Sequence, residues 1–382
     1  MGGQENNTEL MPKQIDGLSI RRTNIFERNR RKTLVLLVLV VTFVADLSVT
    51  NIAKRLFPNL ENDEKRYRTH STIYHHDLVP LVHTRRAHWG HRYYVVATNS
   101  LGFKDAACRD IKLVPENYRM LFMGDSFTEG IGCAYEETFV GRIDLKLRES
   151  GVEVLNGAVS DYCPIVYLVK VGHLLEKGLR FDELVVCIDI SDIEDDVYLY
   201  MMDDATQRLV EGPGAPQPEV GVNRRFKDFI KANTVVTRAL LYAIRDTAGV
   251  ELAVPVDKFR AAWTYDDEAL ERYGKLGLEK ATGHMDQLAA LLSTYGIKLT
   301  VVVYPWPNQI FQRDKDSLQI RHWRAWSTRN SAGFIDLFPY FIDDRDAEQV
   351  IRDHFIPGDI HWNQKGHEVV ARGFLENFEQ RK

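Results

Sequence analysis

Cysteine is scarce in this chain. Cys108, Cys133, Cys163 and Cys187 are the only four in 382 residues, and no two form a C-x-x-C pair, which leaves no cysteine-rich metal or redox motif. Cys187 lies in the apolar run Leu184–Ile190 and is expected to be a buried thiol. A disulfide among the other three is compatible with an oxidising compartment, but spacing alone assigns no pair. Excess positive charge is also missing. The net charge is −5, so there is no basic footprint for nucleic acid. Gly124–Gly132 follows a strand-like run yet contains neither G-x-G-x-x-G nor G-K-[ST], which excludes the usual dinucleotide and phosphate loops. Metal-ligand sets are absent too. His75-His76-Asp77 and Asp353-His354 gain no third ligand by spacing, and adjacent histidines point to opposite faces of an extended chain. They read as surface or packing residues, and neither a metal nor an organic cofactor is expected. No internal repeat is visible.

What is present is an ordinary folded-domain composition, 45% hydrophobic and 27% charged, preceded by a distinctive N-terminus. Residues 1–20 are polar and expected to lack order. Arg21, Arg22, Arg28, Arg30, Arg31 and Lys32 then precede a run from Thr33 to Ala45 that is apolar apart from Thr33 and Thr42. Continued to Ala53, the segment gives roughly 31 Å of helix, enough to cross a bilayer. Asp46 falls late in it, where a carboxylate can reach the interface. A cleaved signal peptide would share the pattern, but no small-x-small site follows and the charged head is long. We therefore expect residues 1–32 as a basic cytoplasmic tail and 33–53 as a signal anchor. Everything beyond would lie outside, in a periplasmic or extracellular space.

Two short segments carry chemistry. Tyr118–Met123 reads as a strand ending at Gly124, delivering Ser126 of Gly124-Asp125-Ser126-Phe127-Thr128 to the start of a helix. Far downstream, Asp359-Ile360-His361-Trp362 places a carboxylate and an imidazole two residues apart, on the same side of an extended loop. A nucleophile, a base and an orienter are the minimum for acyl transfer. Taken by itself, Gly-Asp-Ser before a helix is equally good capping chemistry. It is the pairing with Asp359 and His361 that favours Ser126 as nucleophile.

The chain from about Arg119 to Gln380 resembles the SGNH (GDSL-type) hydrolase superfamily, in its membrane-tethered bacterial branch. Gly124-Asp125-Ser126 looks like the nucleophile block and Asp359-Ile360-His361 like the acid/base block. The commoner family spacing is Asp-x-x-His, but position 358 is Gly, and the shorter spacing is similar to that of exopolysaccharide O-acetylation proteins. Asn99-Ser100-Leu101-Gly102-Phe103 looks like this branch's lead-in. The resemblance implies an oxyanion hole built from the Ser126 N–H, the N–H of Asp161 (within Leu155–Asp161, where the family has Gly) and Ser191 (within Ile188–Asp192, where the family has Asn). It also implies a serine esterase acting on O-acyl groups, acetyl above all, of a cell-surface or exported polysaccharide, with polysaccharide-assembly proteins as partners. An O-acetyltransferase using the same triad is the first alternative. A non-catalytic glycan-binding component of an export system is the second.

Strand signals at 119–123, 152–156, 183–189, 297–303 and 333–337 alternate with helix signals at 134–150, 164–178, 266–295 and 364–379, the last capped by Asn363. This rhythm predicts a three-layer α/β/α sandwich with a parallel, flavodoxin-like sheet over 118–382. Residues 54–117 read as a linker and a small β-rich lead-in packed on that domain. An insertion at 193–265 interrupts the rhythm. It contains the breaker Gly212–Pro218 and a near-helical apolar pattern over Arg224–Arg245, and serves as a lid over the site or as plain packing. Glu194-Asp195-Asp196 and Asp203-Asp204 read as solvated loops. Trp306, after a strand, and Trp362 offer flat faces for a sugar ring, or merely pack loops.

Overall fold

The computed structural model describes residues 29–56, 64–89, 92–214 and 262–379, with short pieces at 229–230, 233–237, 239–241 and 260. The basic tail up to residue 28, the linker at 57–63 and most of the Arg224–Arg245 pattern lie outside these. Strand formation starts with β1 (Arg68–Ser71) and β2 (His75–Leu78), which form a small antiparallel hairpin. Then come β3 (His83–Trp89), β4 (Arg92–Thr98), β5 (Lys104–Asp105), β6 (Arg119–Met123), β7 (Glu153–Asn156) and β8 (Glu183–Ile188). A second hairpin, β9 (Tyr200–Asp203) with β10 (Arg208–Glu211), belongs to the insertion. The last strands are β11 (Lys298–Val303) and β12 (Gly333–Asp336).

One eight-stranded sheet organises the molecule, in the order β12-β11-β8-β6-β7-β5-β4-β3. Its five strands from β6 to β12 are parallel, and in chain order they run 2-1-3-4-5. Parallel strands need covered faces, and every residue of β6 and β8 is buried. Each fully buried aliphatic side chain there contributes about 1.5–3 kcal/mol of transfer free energy. Helices Phe139–Arg148, Pro164–Glu176, Lys275–Thr294, Leu318–Arg329 and Gln364–Glu379 supply the covering layers. Phe139, Val140, Ile143 and Leu147 show how the first turns a single apolar stripe inward. At the last helix, the Asn363 side-chain Oδ1 accepts the N–H groups of Lys365 and Gly366 at 2.9 and 3.1 Å.

The lead-in differs from its sequence reading. β3, β4 and β5 are not a separate unit laid on the domain but antiparallel members of the same sheet, joined where Lys104 pairs with Asn156 of β7. Without them β7 would present an open edge of unpaired N–H and C=O groups.

Near the N-terminus, Arg30–Leu56 is a 27-residue helix with a mean hydropathy of 2.4 in its most apolar window. It is the one helix among the described residues long and apolar enough to cross a membrane. Leu34 to Val41 all project outward.

Candidate active site

The 2-1-3-4-5 order reverses direction between β6 and β8, and an open α/β sheet forms its crevice at such a switch point, beyond the strand carboxyl ends. Ser126 follows β6, Asp161 follows β7, Ser191 follows β8 and Trp306 follows β11. All four line one cavity of about 480 Å³, together with Trp89, Asp359 and His361. A larger cavity, about 680 Å³, opens at the opposite edge, where Glu183, Lys298 and Gly333 begin their strands. Its Tyr118 and Thr300 hydroxyls both donate to the Glu183 carboxylate, and no imidazole is among its described lining residues.

Local geometry frees the serine. A Cβ on Gly124 would fall 2.3 Å from Thr128 Oγ1, so only glycine lets the chain turn this tightly out of β6. The cap of the short helix Ser126–Glu129 is Asp125, whose Oδ1 accepts the Phe127 N–H at 3.0 Å. Capping is therefore done by the neighbour, and the Ser126 hydroxyl is left facing the cavity.

A turn delivers the acid and imidazole. Asp359 N–H donates to the Ile356 carbonyl at 2.9 Å and Ile356 N–H to the His361 carbonyl at 2.8 Å, while Gly358 takes φ +71°. Asp359 Oδ1 lies 2.5 Å from His361 Nδ1 and also accepts the His361 N–H at 3.0 Å. An ionised carboxylate can only accept, so Nδ1 carries the ring proton and Nε2 is the acceptor. Nε2 stands 2.8 Å from Ser126 Oγ, so the hydroxyl donates to it. Burial opposes ionisation of Asp359, yet the hydrogen bonds from His361 and Trp89 outweigh it and hold the carboxyl below its ordinary range. The imidazole is wedged between Phe127 and Trp89, with ring centroids at 4.9 and 5.1 Å.

Trp89 is the residue that sequence reasoning missed. It ends β3, and its indole N–H donates to Asp359 Oδ2 at 2.8 Å across 270 positions of sequence. No local pattern could have signalled it.

The three implied oxyanion donors fare differently. Neither the Ser126 nor the Asp161 N–H has an acceptor among the described residues. Asp161 takes φ +63°, the left-handed conformation that a glycine would adopt freely. Its side chain is exposed and turned to Arg260, 3.9 Å away. Ser191 departs from expectation: its single hydroxyl proton goes to Asp189 Oδ1 at 2.7 Å, because that carboxylate sits two residues upstream and captures both its N–H and its O–H.

Behind the serine, carboxyl oxygens of Asp125, Asp189 and Asp192 lie within 4.8 Å of one another. Burial, then mutual repulsion, pushes Asp125 and Asp192 well above the carboxylate range. Burial also raises Asp189, despite hydrogen bonds from Ser191 and Trp306. Each carboxyl thus holds a proton more readily than an exposed one would.

The tryptophan platform is corrected. Trp362 is 0% and Trp306 2% exposed. Trp362 packs against Phe127 and Tyr304, and Trp306 donates its indole N–H to Asp189 Oδ2 at 2.5 Å. Both faces are taken by protein, so neither is free to stack on a sugar. Asp195 and Asp196 are likewise buried rather than solvated. Asp195 accepts from Arg260 at 2.5 Å, and Asp196 accepts the Ile165 N–H and contacts His284 Nδ1. His76 lines the cavity, donating from Nε2 to the Ser160 carbonyl at 2.8 Å, so the His75-His76 pair serves packing. All four cysteines are unpaired thiols, with only Cys108 exposed.

No family model and no curated protein matches this chain. Among solved structures it is similar to a catalytic mutant of an acetylxylan esterase from Geobacillus stearothermophilus, with 12% identity, 70% of this chain and 96% of that one covered, and a TM-score of 0.37. It is also similar to a psychrotrophic esterase from Pseudoalteromonas sp., with 11% identity, coverage of 69% and 98%, and a TM-score of 0.37. A third likeness is to the protein TesA, with 10% identity, coverage of 69% and 98%, and a TM-score of 0.38.

Proposed function

We propose that this protein is a serine ester hydrolase of the SGNH type. The observation that carries the reading is the unbroken chain Ser126 Oγ–His361 Nε2 at 2.8 Å and His361 Nδ1–Asp359 Oδ1 at 2.5 Å. Ser126 attacks the ester carbonyl as His361 takes its proton. The N–H groups of Ser126 and Asp161 receive the oxyanion, and His361 then protonates the leaving alcohol. Water, activated by the same imidazole, releases the acid. Asp359 keeps the ring in the tautomer this sequence requires.

The wall of the cavity suits a small acyl group on a polyhydroxylated alcohol. Glu64, Arg68, Ser160, Asp161 and Arg260 line the same cavity as the serine, offering hydrogen-bond partners for sugar hydroxyls. With Arg30–Leu56 as a membrane anchor, the site acts outside the cytoplasmic membrane on O-acetyl groups of an exported or surface polysaccharide. An acceptor sugar hydroxyl in place of water would make the same acyl-enzyme a transferase, and the open mouth of the cavity has room for one.

Full-length protein should react covalently with a fluorophosphonate and hydrolyse 4-nitrophenyl acetate, and Ser126→Ala should abolish both. Folded wild-type protein that takes no label would refute the reading. Acetate release measured against acetyl transfer to added oligosaccharide separates hydrolysis from transfer.

A further inference from the structure

We propose that the described residues 229–230, 233–237 and 239–241 of the insertion form a second membrane-seated element, fastened to the helix Arg30–Leu56 through Asp46 and resting in lipid. This rests on reading that helix as an anchor.

The argument begins with a charge in an awkward place. Asp46 sits in an apolar helix and is only 6% exposed. An ionised carboxylate within a bilayer is costly unless it is fully partnered. Here its Oδ1 accepts the N–H groups of Val235 and Val236 at 3.2 and 3.1 Å, and its Oδ2 accepts the Thr237 N–H at 2.6 Å. Thr50 adds a hydroxyl at 3.1 Å. Three successive N–H groups, of Val235, Val236 and Thr237, stand where helical backbone begins at 236–237. They are the orphan donors that every helix start must satisfy, at its positive end. Asp46 thus acts as an N-cap supplied by another segment 189 to 191 positions away. A signal peptide removed after export would leave those donors unsatisfied.

Depth follows from this contact. Asp46 is roughly 20 Å along the helix from Thr33, inside a hydrocarbon layer about 30 Å thick. Residues hydrogen-bonded to it must reach the same level. The side chains agree: Phe229, Val235, Val236, Leu240 and Leu241 are all exposed, as are Leu34 to Val41 on the anchor. Elsewhere in the domain exposed apolar side chains are scattered. Here they gather on the two elements that touch each other, and this continuity with the anchor points to lipid as the occupant. The same insertion returns to the active-site cavity at Arg260, so its seating would fix the height and tilt of that cavity over the membrane.

Spin labels test this on full-length protein carrying Cys108→Ser, reconstituted in phosphatidylcholine–phosphatidylglycerol vesicles. Single cysteines replace Val236, Leu240, Leu37 on the anchor and Tyr93 as an aqueous reference. Power saturation then compares access by oxygen with access by a water-soluble nickel chelate, and 4-nitrophenyl acetate turnover verifies the fold. Labels at 236 and 240 should follow Leu37, open to oxygen and shielded from nickel. Adding Asp46→Leu should remove that shielding while Leu37 keeps it. Labels at 236 and 240 that follow Tyr93, with Leu37 still in lipid, would overturn the inference and leave the anchor standing. Shielding from both reagents, with spin–spin broadening lost on dilution by unlabelled protein, would also overturn it and indicate a second copy as the occupant. Leu37 behaving like Tyr93 would overturn the anchor reading itself. Unchanged shielding in the Asp46→Leu protein would refute the fastening.

Discussion

The lead-in at 68–105 and the insertion at 193–265 both border the active-site cavity, but they grip it by different means. Lead-in contacts are buried and often charged. Arg68 forks onto Glu129 at 2.9 and 3.2 Å, three residues beyond the serine. Lys104 donates to the carbonyls of Gly130 and Cys133 at 2.8 Å each. Asp77 meets the fully buried Lys170 at 2.8 Å, and that ammonium also donates to the Gly157 carbonyl. Trp89 completes the set at Asp359. Insertion contacts near the cavity centre on Arg260, about one-third exposed, and on the Tyr200 hydroxyl donating to the Asp161 carbonyl at 2.8 Å. The partners of the two arginines differ: Glu129 is held ionised, so its cation is expensive to remove, whereas burial pushes the Asp195 carboxyl beside Arg260 up to about 7, where a proton can replace the cation. The lead-in is thus part of the rigid frame that sets the reacting groups, whereas the insertion shapes the outer wall.

The largest test of this contrast is Arg68→Ala, which leaves the fully buried Glu129 carboxylate without the guanidinium hydrogen-bonded to it. A loss of about 3–5 kcal/mol is expected, measured as a fall in the urea midpoint or in folded yield. Acid should act in the same direction. Burial opposes ionisation of Glu129, but Arg68 and Lys104 outweigh it and hold the carboxyl below its ordinary 4.5. Its contribution is therefore present above that value and lost as pH falls through the lower folded-state value. Glu129→Gln should flatten this part of the stability–pH curve; an unchanged curve would remove Glu129 from the frame.

Next comes Trp89→Phe, which keeps a ring beside His361 and deletes one donor to Asp359. A hydrogen bond to a charged group of about 1.5 kcal/mol predicts a roughly tenfold lower kcat with KM little altered. A change confined to KM would make Trp89 a wall residue instead. Arg260→Gln should be milder, raising KM for an ester substrate several-fold and costing less stability than Arg68→Ala, because the buried Asp195 carboxyl it leaves behind, already pushed up to about 7 by burial, can take a proton. A collapse in stability would erase the distinction between the two regions. Ser191→Ala should matter least. Loss of a true oxyanion donor lowers kcat by about 10²–10³, and a fall of that size would mean that the hydroxyl turns toward substrate during turnover.

Much of the parallel core was legible because its signals are local. The buried run at β8, the tight Gly124 turn and the Asn363 cap each declare themselves within a few residues. Asp359 and His361 were legible for the same reason, being two positions apart. Errors arose where tertiary surroundings decide. Trp306 and Trp362 occupy loop positions indistinguishable from exposed ones until Phe127, Tyr304 and Asp189 close around them. Ser191 could be aligned with a donor position, but the direction of its proton is set by Asp189. Asp195 and Asp196 looked solvated because their partners, Arg260 and His284, are supplied by distant segments. β3 to β5 seemed an appendage because sheet membership is written in pairing, not in the strand itself.

The reach from Trp89 to Asp359, with Ser126 and His361 meeting across 235 positions, has a consequence for biogenesis. Until His361 has been made, no length of the growing chain holds the constellation, so the emerging polypeptide lacks it for most of its synthesis. Reactivity switches on only once the sheet has gathered its remote strands, and topology itself serves as the safeguard against premature ester cleavage.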